Sequence, residues 1–289
     1  MLAIIGTIVV IFCVFGGYMI AGGNIDIILQ ALPVEMMIIG GAALGGLLVA
    51  NSMTVVKGSF AGFMHAIRGP KWSRDDYRDL LCLLFALSRL RRQKGNIALE
   101  THVEEPQESA IFTQYPKIMR DHFALTLITD TLRMITLDMD EGHQVEEYID
   151  AQLEKHHHEA MAPANALQTV ADALPALGIV AAVLGVIKTM ASISEPPEIL
   201  GRMIGSALVG TFLGVFLSYG IVGPFANRLK QVIEEEAQYY AVIKDVLVGM
   251  AQGHAPQVAV EVGRGNVPTV VQPSFYDVDE AVNALPREA

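Results

Sequence analysis

The chain has 289 residues, of which 52% are hydrophobic, and its mean hydropathy is +0.40. The formal net charge of −11 lies in the polar stretches between and after the apolar runs, which argues against a nucleic-acid partner. The two cysteines, Cys13 and Cys82, fall in an apolar run and in a polar region, so no disulfide is expected between them.

Four apolar runs are long enough to cross a bilayer as helices, since a helical span takes about 20 mostly apolar residues. They are residues 2–21, 36–56, 173–193 and 203–225. The one charge well inside a run is Lys188, whose long stem can reach the headgroups from a run end. No carboxylate lies in the interior of these runs. The sequence therefore predicts an all-α membrane protein whose own spans lack the acid that an ion relay needs, and a carrier with its own midplane site is disfavoured.

Basic residues predict the orientation, because short cytoplasmic loops carry the excess of lysine and arginine. The loop after the first run, residues 22–35, has none, whereas basic residues follow the second and fourth runs. These are Lys57, Arg68, Lys71, Arg74, Arg228 and Lys230. Both termini are therefore predicted to be cytoplasmic.

Five segments follow from this layout. They are two transmembrane hairpins (residues 1–56 and 173–225), a helical cytoplasmic domain between them (57–172), a cytoplasmic helix (226–252) and a tail (253–289). In the inserted domain, Ser73 with Asp76 three residues later predicts a helix start, and Gly95 after a basic turn predicts its end. The tail contains four prolines and no sustained period, so we expect it to be poorly ordered.

Glycines four residues apart recur in the predicted spans. The pairs are Gly41 with Gly45, Gly201 with Gly205, and Gly210 with Gly214. In lipid, such pairs let helices approach closely. The pattern fits packing within this chain, and it equally fits packing against further copies or a second protein.

Pro175 begins the third run and Pro224 ends the fourth, at similar predicted depth near the cytoplasmic face. The two prolines could simply mark helix ends, or they could be hinges that pass intramembrane events to the cytoplasm. Thr211 is a hydroxyl between glycines of the fourth run. It could bond back to a carbonyl of its own helix or line a polar path.

A basic group at Arg89–Lys94 precedes the acidic residues Glu100, Glu104 and Glu105. This charge pattern is typical of a solvated surface and also of an electrostatic docking site. The histidines, including His156–His158, lack a supporting cysteine or second histidine pair, so no metal site is expected. No phosphate loop and no nucleophile–base constellation is found, so neither an enzyme nor a cofactor is predicted.

Three segments together resemble the MotA family, the membrane subunit of the bacterial flagellar stator. They are residues 92–95 (RQKG) leading to Leu99 and Glu100, residues 175–186 (PALGIVAAVLGV), and residues 205–214 (GSALVGTFLG) continuing to Tyr219, Gly220 and Pro224. The resemblance extends to about Gly253. It implies a multi-pass protein of the bacterial inner membrane, in several copies, expected to be five, around a pair of single-span MotB-like chains.

The resemblance also implies roles for particular residues. Arg92 and Glu100 match the basic and acidic residues that engage the rotor protein FliG. Pro175 and Pro224 match the prolines that couple ion passage to movement.

Two further positions concern the ion. Thr211 matches the polar position facing the ion-binding aspartate of the MotB-like partner. Ala182 stands where sodium-driven relatives have threonine and proton-driven relatives have alanine, so the resemblance predicts proton conduction and torque on the rotor. The alternatives are an ExbB/TolQ-like energiser of another envelope process and a non-conducting membrane scaffold.

Overall fold

The structure is a computed structural model that describes residues 2–137, 139 and 141–286. Within these residues the chain is helical and has no strand, which confirms the predicted all-α class. The helices are α1 (Leu2–Ile20), α2 (Ile25–Ala50), α3 (Met53–Arg68), α4 (Arg74–Lys94), α5 (Asn96–Glu104), α6 (Pro116–Arg120), α7 (His122–Thr136), α8 (Gly142–Ala191), α9 (Pro197–Ala251), α10 (Pro256–Gly265) and α11 (Phe275–Asn283). In the described part, α1, α2, α8 and α9 are the four helices long and apolar enough to cross a membrane.

The contacts divide the chain into two compact units. A membrane unit comprises Met1–Gly69 and Ala160–Val232, and a polar unit comprises Pro70–Glu159 and Ile233–Ala289. Helices α8 and α9 contribute residues to both units. The predicted inserted domain of residues 57–172 therefore differs from the polar unit, because α3 and the second part of α8 belong to the membrane unit.

Helix α2 begins eleven residues before the predicted second span and ends six residues before that span's predicted end. The helix starts where the Asn24 side chain accepts a hydrogen bond from the Asp26 N–H at 2.9 Å. The negative charge of Asp26, in the first turn, interacts favourably with the positive end of the helix dipole. Pro33 lies inside the helix without ending it. At the other end, Ser52 caps a new helix, α3. The predicted loop at residues 22–35 is therefore mostly helix.

The polar unit is built around α4. Its start has the predicted capping box, in which the Ser73 N–H donates to Asp76 at 2.7 Å. Its end has the predicted glycine, because Gly95 adopts a φ of +81° and its N–H bonds the Arg91 carbonyl. Every residue from Leu80 to Ser88 is buried, which covers the whole circumference of α4, so α4 is the centre of the core.

The prediction of a poorly ordered tail at residues 253–289 is wrong for the described residues. Helices α10 and α11 both pack against α4. Pro256 occupies the first turn of α10, where its missing N–H costs nothing, and Ser274 begins α11 with a capping box. Val278 and Val282, one helical turn apart, are buried. The prolines that suggested disorder start or separate helices, and residues 287–289 lie outside the described part of the tail.

Candidate functional site

Helices α8 and α9 cross closely in the membrane unit at three glycines. A methyl group added to Gly178 would lie 2.8 Å from the Gly210 carbonyl oxygen and 3.0 Å from the Gly214 Cα. One added to Gly214 would lie 2.6 Å from the Leu174 carbonyl oxygen. Such distances leave no room for a side chain, so the crossing depends on bare backbone. The Gly210–Gly214 pair therefore packs within this chain.

The other predicted packing glycines behave differently. A methyl group added at Gly41, Gly45 or Gly201 would meet no atom within 4 Å, and at Gly205 it would meet only Ile27, at 3.6 Å. Gly205 therefore lies at an ordinary contact between α9 and α2, whereas Gly41, Gly45 and Gly201 bring no described helices of this chain together. They leave small-residue faces on α2 and α9 that a further chain could approach.

The two predicted path-lining residues lie at the same crossing. The position of a methyl group on Gly210 is 3.0 Å from the Ala181 Cβ and 3.2 Å from the Ala182 N, and Thr211 follows Gly210 directly. The Thr211 hydroxyl makes no hydrogen bond within the described chain, whereas Thr189 donates to the Gly185 carbonyl at 2.9 Å. The interpretation of Thr211 as bonded to its own helix is therefore wrong, and its hydroxyl is available to another group.

The structure places an acid where the sequence predicted none. Glu35 lies inside α2 on a buried stripe with four-residue spacing, formed by Ala31, Glu35, Ile39, Ala43 and Leu47. Only 5% of Glu35 is exposed. Its Oε2 lies 2.6 Å from the position of a methyl group on Gly210. The prediction that the spans carry no interior carboxylate is wrong, because the second span was taken to begin at residue 36. The Asn24 cap and the four-residue spacing of the buried stripe are the sequence signals that could have shown that the helix begins early enough to include Glu35.

Glu35 also lines a cavity of about 320 Å³ between α2, α8 and α9. Its polar lining consists of Gln30, Glu35, Lys188, Thr189 and Ser206, and the remaining lining is apolar. Lys188 is exposed, and it is the only other ionisable side chain among the lining residues. Glu35 therefore has polar groups near it on the side of the cavity, whereas the rest of its surroundings are apolar.

Pro175 lies in the interior of the 50-residue helix α8, so the interpretation that it marks a helix start is wrong. Since proline has no N–H, the carbonyl of Ala171 one turn earlier loses its helical donor. The Ser218 hydroxyl of α9 donates to that carbonyl at 2.6 Å, in a fully buried bond. A side chain on one helix thus compensates for the proline on the other.

Pro224 also lies within a continuous helix. It follows a π-helical segment, Phe216–Val222, in which the Gly223 N–H bonds the Ser218 carbonyl five residues earlier. A wider π turn accommodates the ring that would otherwise clash with the carbonyl four residues before the proline. The interpretation of Pro224 as a helix end is therefore wrong. A π turn accommodates Pro224, whereas a side-chain hydrogen bond from the other helix compensates for Pro175.

A second candidate region lies on the polar unit, where α4 turns into α5. Arg92 and Glu100 are exposed, on the last turn of α4 and on α5. Leu99 is fully buried and holds α5 in place. In the described chain neither Arg92 nor Glu100 makes an ion pair, whereas neighbouring charges bond internally: Arg89 to the Pro286 carbonyl and Glu104 to Arg133 at 2.7 Å.

The C-terminal segment shapes the surface beside Arg92. A groove of about 320 Å³ runs between α4 and the start of α10. It is lined by Phe85, Arg89, Arg92, Gln93, Ala255, Pro256 and Gln257. Sequence reasoning missed this groove because it treated residues 253–289 as disordered.

Two histidines of the polar unit, His156 and His102, contact neighbouring side chains. His156 stacks on Phe123 with ring centroids 3.6 Å apart, and burial lowers the pKa of its imidazole. His102 hydrogen-bonds the Ser109 hydroxyl at 2.8 Å, and burial likewise lowers the pKa of His102. The described residues contain no group of three or more histidines, cysteines and carboxylates able to hold a metal ion.

Family models match both parts of the chain. Residues 4–95 match the model of the motility protein A N-terminal region, and residues 117–241 match the MotA/TolQ/ExbB proton channel family. With the four candidate spans, these matches define the class: a multi-pass helical membrane protein of the proton-channel type, which is not an enzyme.

Curated relatives identify the family. Motility protein A of Salmonella typhimurium is 41% identical over 285 residues, covering 99% of this chain and 96% of the relative. Motility protein A of Escherichia coli K12 is 40% identical over the same shares. The chain belongs to the motility protein A family.

The fold agrees with solved structures of two complexes. The C. jejuni MotAB structure matches with a TM-score of 0.72 at 18% identity, over 92% of this chain and 95% of the matched chain. The flagellar MotAB stator complex from Bacillus subtilis matches with a TM-score of 0.68 at 21% identity, over 90% and 92% of the two chains.

Proposed function

We propose that this chain is a stator subunit of a bacterial flagellar motor, which forms with a MotB-like partner a proton-conducting complex that exerts torque on the rotor. The observation that carries the proposal is the tight crossing of α8 and α9, which holds Ala182 beside the Gly210–Thr211 turn and leaves the Thr211 hydroxyl free. Full-length similarity to motility protein A of two bacteria supports the motor assignment.

The assembly is proposed to contain five copies around a dimer of the partner, in the inner membrane and with cytoplasmic termini. The open small-residue faces at Gly41, Gly45 and Gly201 support contacts with further chains. Charge in the loops supports the orientation. The partner's span supplies an aspartate that faces Thr211, and alanine at position 182 supports protons as the ion.

Each cycle of proton binding, helix movement and proton release is driven by the membrane potential, which supplies about 2.3 kcal/mol per elementary charge per 100 mV. That is enough to shift a two-state packing equilibrium by more than tenfold. Proton binding removes a charge between the partner helix and the α8–α9 wall, and the preferred contacts change. Pro175 and Pro224 are proposed as the hinges that let this change reach the polar unit.

Arg92 and Glu100 are proposed to contact FliG by charge complementarity. Their exposure and their lack of ion pairs in the described chain support this role, because internally paired charges would lose their partners on docking. An ExbB/TolQ-like energiser is less well supported, since residues 4–95 match the motility protein A N-terminal model.

Deletion of the gene and complementation test the proposal. We expect assembled but paralysed flagella in the deletion strain, and swimming restored by the wild-type gene. Normal swimming of the deletion strain would overturn the motor assignment, and paralysis without any proton flux through the assembled complex would favour the scaffold.

Charge reversal tests the docking surface. Arg92→Glu should strongly reduce torque and be partly rescued by an opposite charge change on FliG. Arg120→Glu, which reverses an exposed arginine elsewhere on the polar unit, is the matched control and should swim normally.

A further inference from the structure

Glu35 is the one carboxylate on the buried stripe of α2, and its depth follows from helix geometry. Helix α2 has 26 residues and is therefore about 39 Å long. If it crosses a hydrocarbon core of about 30 Å, at most about 9 Å of helix lies outside on either side. Glu35 lies about 15 Å from the first residue of α2. It must then lie within the core, nearer the N-terminal end of the helix.

The carboxyl group has an unused oxygen at that depth. Oε2 is buried and has no hydrogen-bond donor in the described chain, and 95% of the residue is removed from solvent by the chain itself. Burying a carboxylate without a donor is costly, and binding a proton removes most of that cost. Acids kept at membrane depth typically belong to ion or proton pathways.

Both sides of Glu35 suit a proton path. On one side is the cavity of about 320 Å³, which offers polar groups from α2 (Gln30), α8 (Lys188, Thr189) and α9 (Ser206). On the other side Oε2 contacts Gly210, whose own neighbours are Ala182 and Thr211. The acid thus lies between a polar cavity and the wall proposed to face the partner's aspartate.

We propose that Glu35 is a proton-binding residue of the conducting path, which accepts a proton from the cavity and releases it towards the Ala182–Thr211 wall. A hydronium ion that enters the cavity loses one O–H bond as the carboxylate of Glu35 forms one, and that bond breaks in turn when the proton passes on towards the partner's aspartate, so the carboxylate is regenerated in every cycle. This inference rests on the proposed proton-conducting function and adds to it an acid supplied by this chain.

The test uses the complete complex in cells that lack the native gene. Glu35→Gln keeps the size of the side chain and cannot bind and release a proton, so proton flux and rotation speed should fall about 100-fold, the lower end of the cost of losing a proton-transfer group. Glu35→Asp should keep a substantial part of both. Glu198→Gln removes an exposed carboxylate at the start of α9 and should have no effect. Wild-type flux and speed in Glu35→Gln would overturn the inference and leave the stator assignment intact. Lack of complementation by the wild type would overturn the stator assignment itself.

A structural ion pair with Lys188 is the competing explanation. It predicts that Glu35→Gln combined with Lys188→Gln recovers the flux lost in Glu35→Gln alone, because no unpaired charge remains. Our inference predicts no recovery, since the double variant still lacks the acid. Recovery would therefore overturn it.

Infrared difference spectra provide a readout that does not depend on torque. The wild-type complex should show a protonated-carboxyl band that changes with pH and is missing in Glu35→Gln. If Glu35→Gln does not accumulate in the membrane, Glu35→Asp takes its place and should shift this band. A spectrum identical to that of the wild type would contradict the proposal.

Discussion

The Ser218–Ala171 hydrogen bond gives the sharpest quantitative prediction. Pro175 deprives the Ala171 carbonyl of its helical donor, and the Ser218 hydroxyl supplies a replacement at 2.6 Å in a buried environment. In Ser218→Ala this carbonyl has no donor. A buried unsatisfied polar group costs about 1–3 kcal/mol, while hydrogen bonds between membrane helices contribute about 0.6 kcal/mol on average and about 1.7 at most. We therefore expect a loss of about 1–2 kcal/mol, equivalent to about a tenfold change in an equilibrium constant.

A double-mutant cycle isolates this bond. Pro175→Ala restores an N–H that can donate to the Ala171 carbonyl, so the hydroxyl of Ser218 becomes redundant. Ser218→Ala should therefore cost about 1–2 kcal/mol in the wild-type background and close to nothing in the Pro175→Ala background. The free energy of unfolding of the purified complex in detergent measures both. An equal cost in the two backgrounds would refute the reasoning, because it would show that Ser218 acts independently of the proline.

Three further predictions follow from packing and charge. Gly178→Ala should lower the free energy of unfolding of the complex by about 1–3 kcal/mol, because the new methyl group overlaps the Gly210 carbonyl. Gly41→Ala, which meets no atom of this chain within 4 Å, should leave the free energy of unfolding of the separately purified subunit unchanged. Val282→Ala should destabilise the purified protein by about 1–3 kcal/mol in denaturant unfolding, whereas Val270→Ala, at a residue that is 97% exposed, should change the unfolding energy by less than about 0.5 kcal/mol. Burial opposes ionisation of Asp76, but hydrogen bonds from Lys117 and Ser73 outweigh burial and lower the pKa of Asp76. The ionised Asp76 therefore stabilises the fold above about pH 4, and this stabilisation is lost as the pH falls further. Asp76→Asn should accordingly make the free energy of unfolding less dependent on pH in the acid range.

Hydropathy and local signals predicted most of the architecture. Each of the four apolar runs overlaps a long helix, although the second run extends past the end of α2 into α3, and the Ser73 and Gly95 signals bound α4 as expected. These signals are local, so the sequence displays them directly. The tail was misread because a proline in the first turn of a helix and a proline in disordered chain look alike until the buried face of Val278 and Val282 is considered.

The candidate site was harder to predict than the architecture, because it is formed by tertiary contacts that the sequence does not display. Ala182 and Thr211 were predicted from a family resemblance, and the structure brings them to one helix crossing. Glu35 was missed because it stood one residue before the predicted second span, in the segment 22–35 that was taken to be a loop. Ser218 had no sequence signal at all, since its role follows from its proximity to Ala171, 47 residues away in the chain.

The π-helical segment of α9 also fixes a rotational phase. Each residue of an α-helix turns the chain by about 100°, so one residue more or less within Phe216–Val222 would rotate the faces on its two sides by about that angle. Thr211 lies before the segment and Pro224 after it. A chain shortened by one residue there could keep both stretches of helix and nearly every side chain. In such a chain, however, the helix face that carries Thr211 would no longer point in the same direction relative to Pro224.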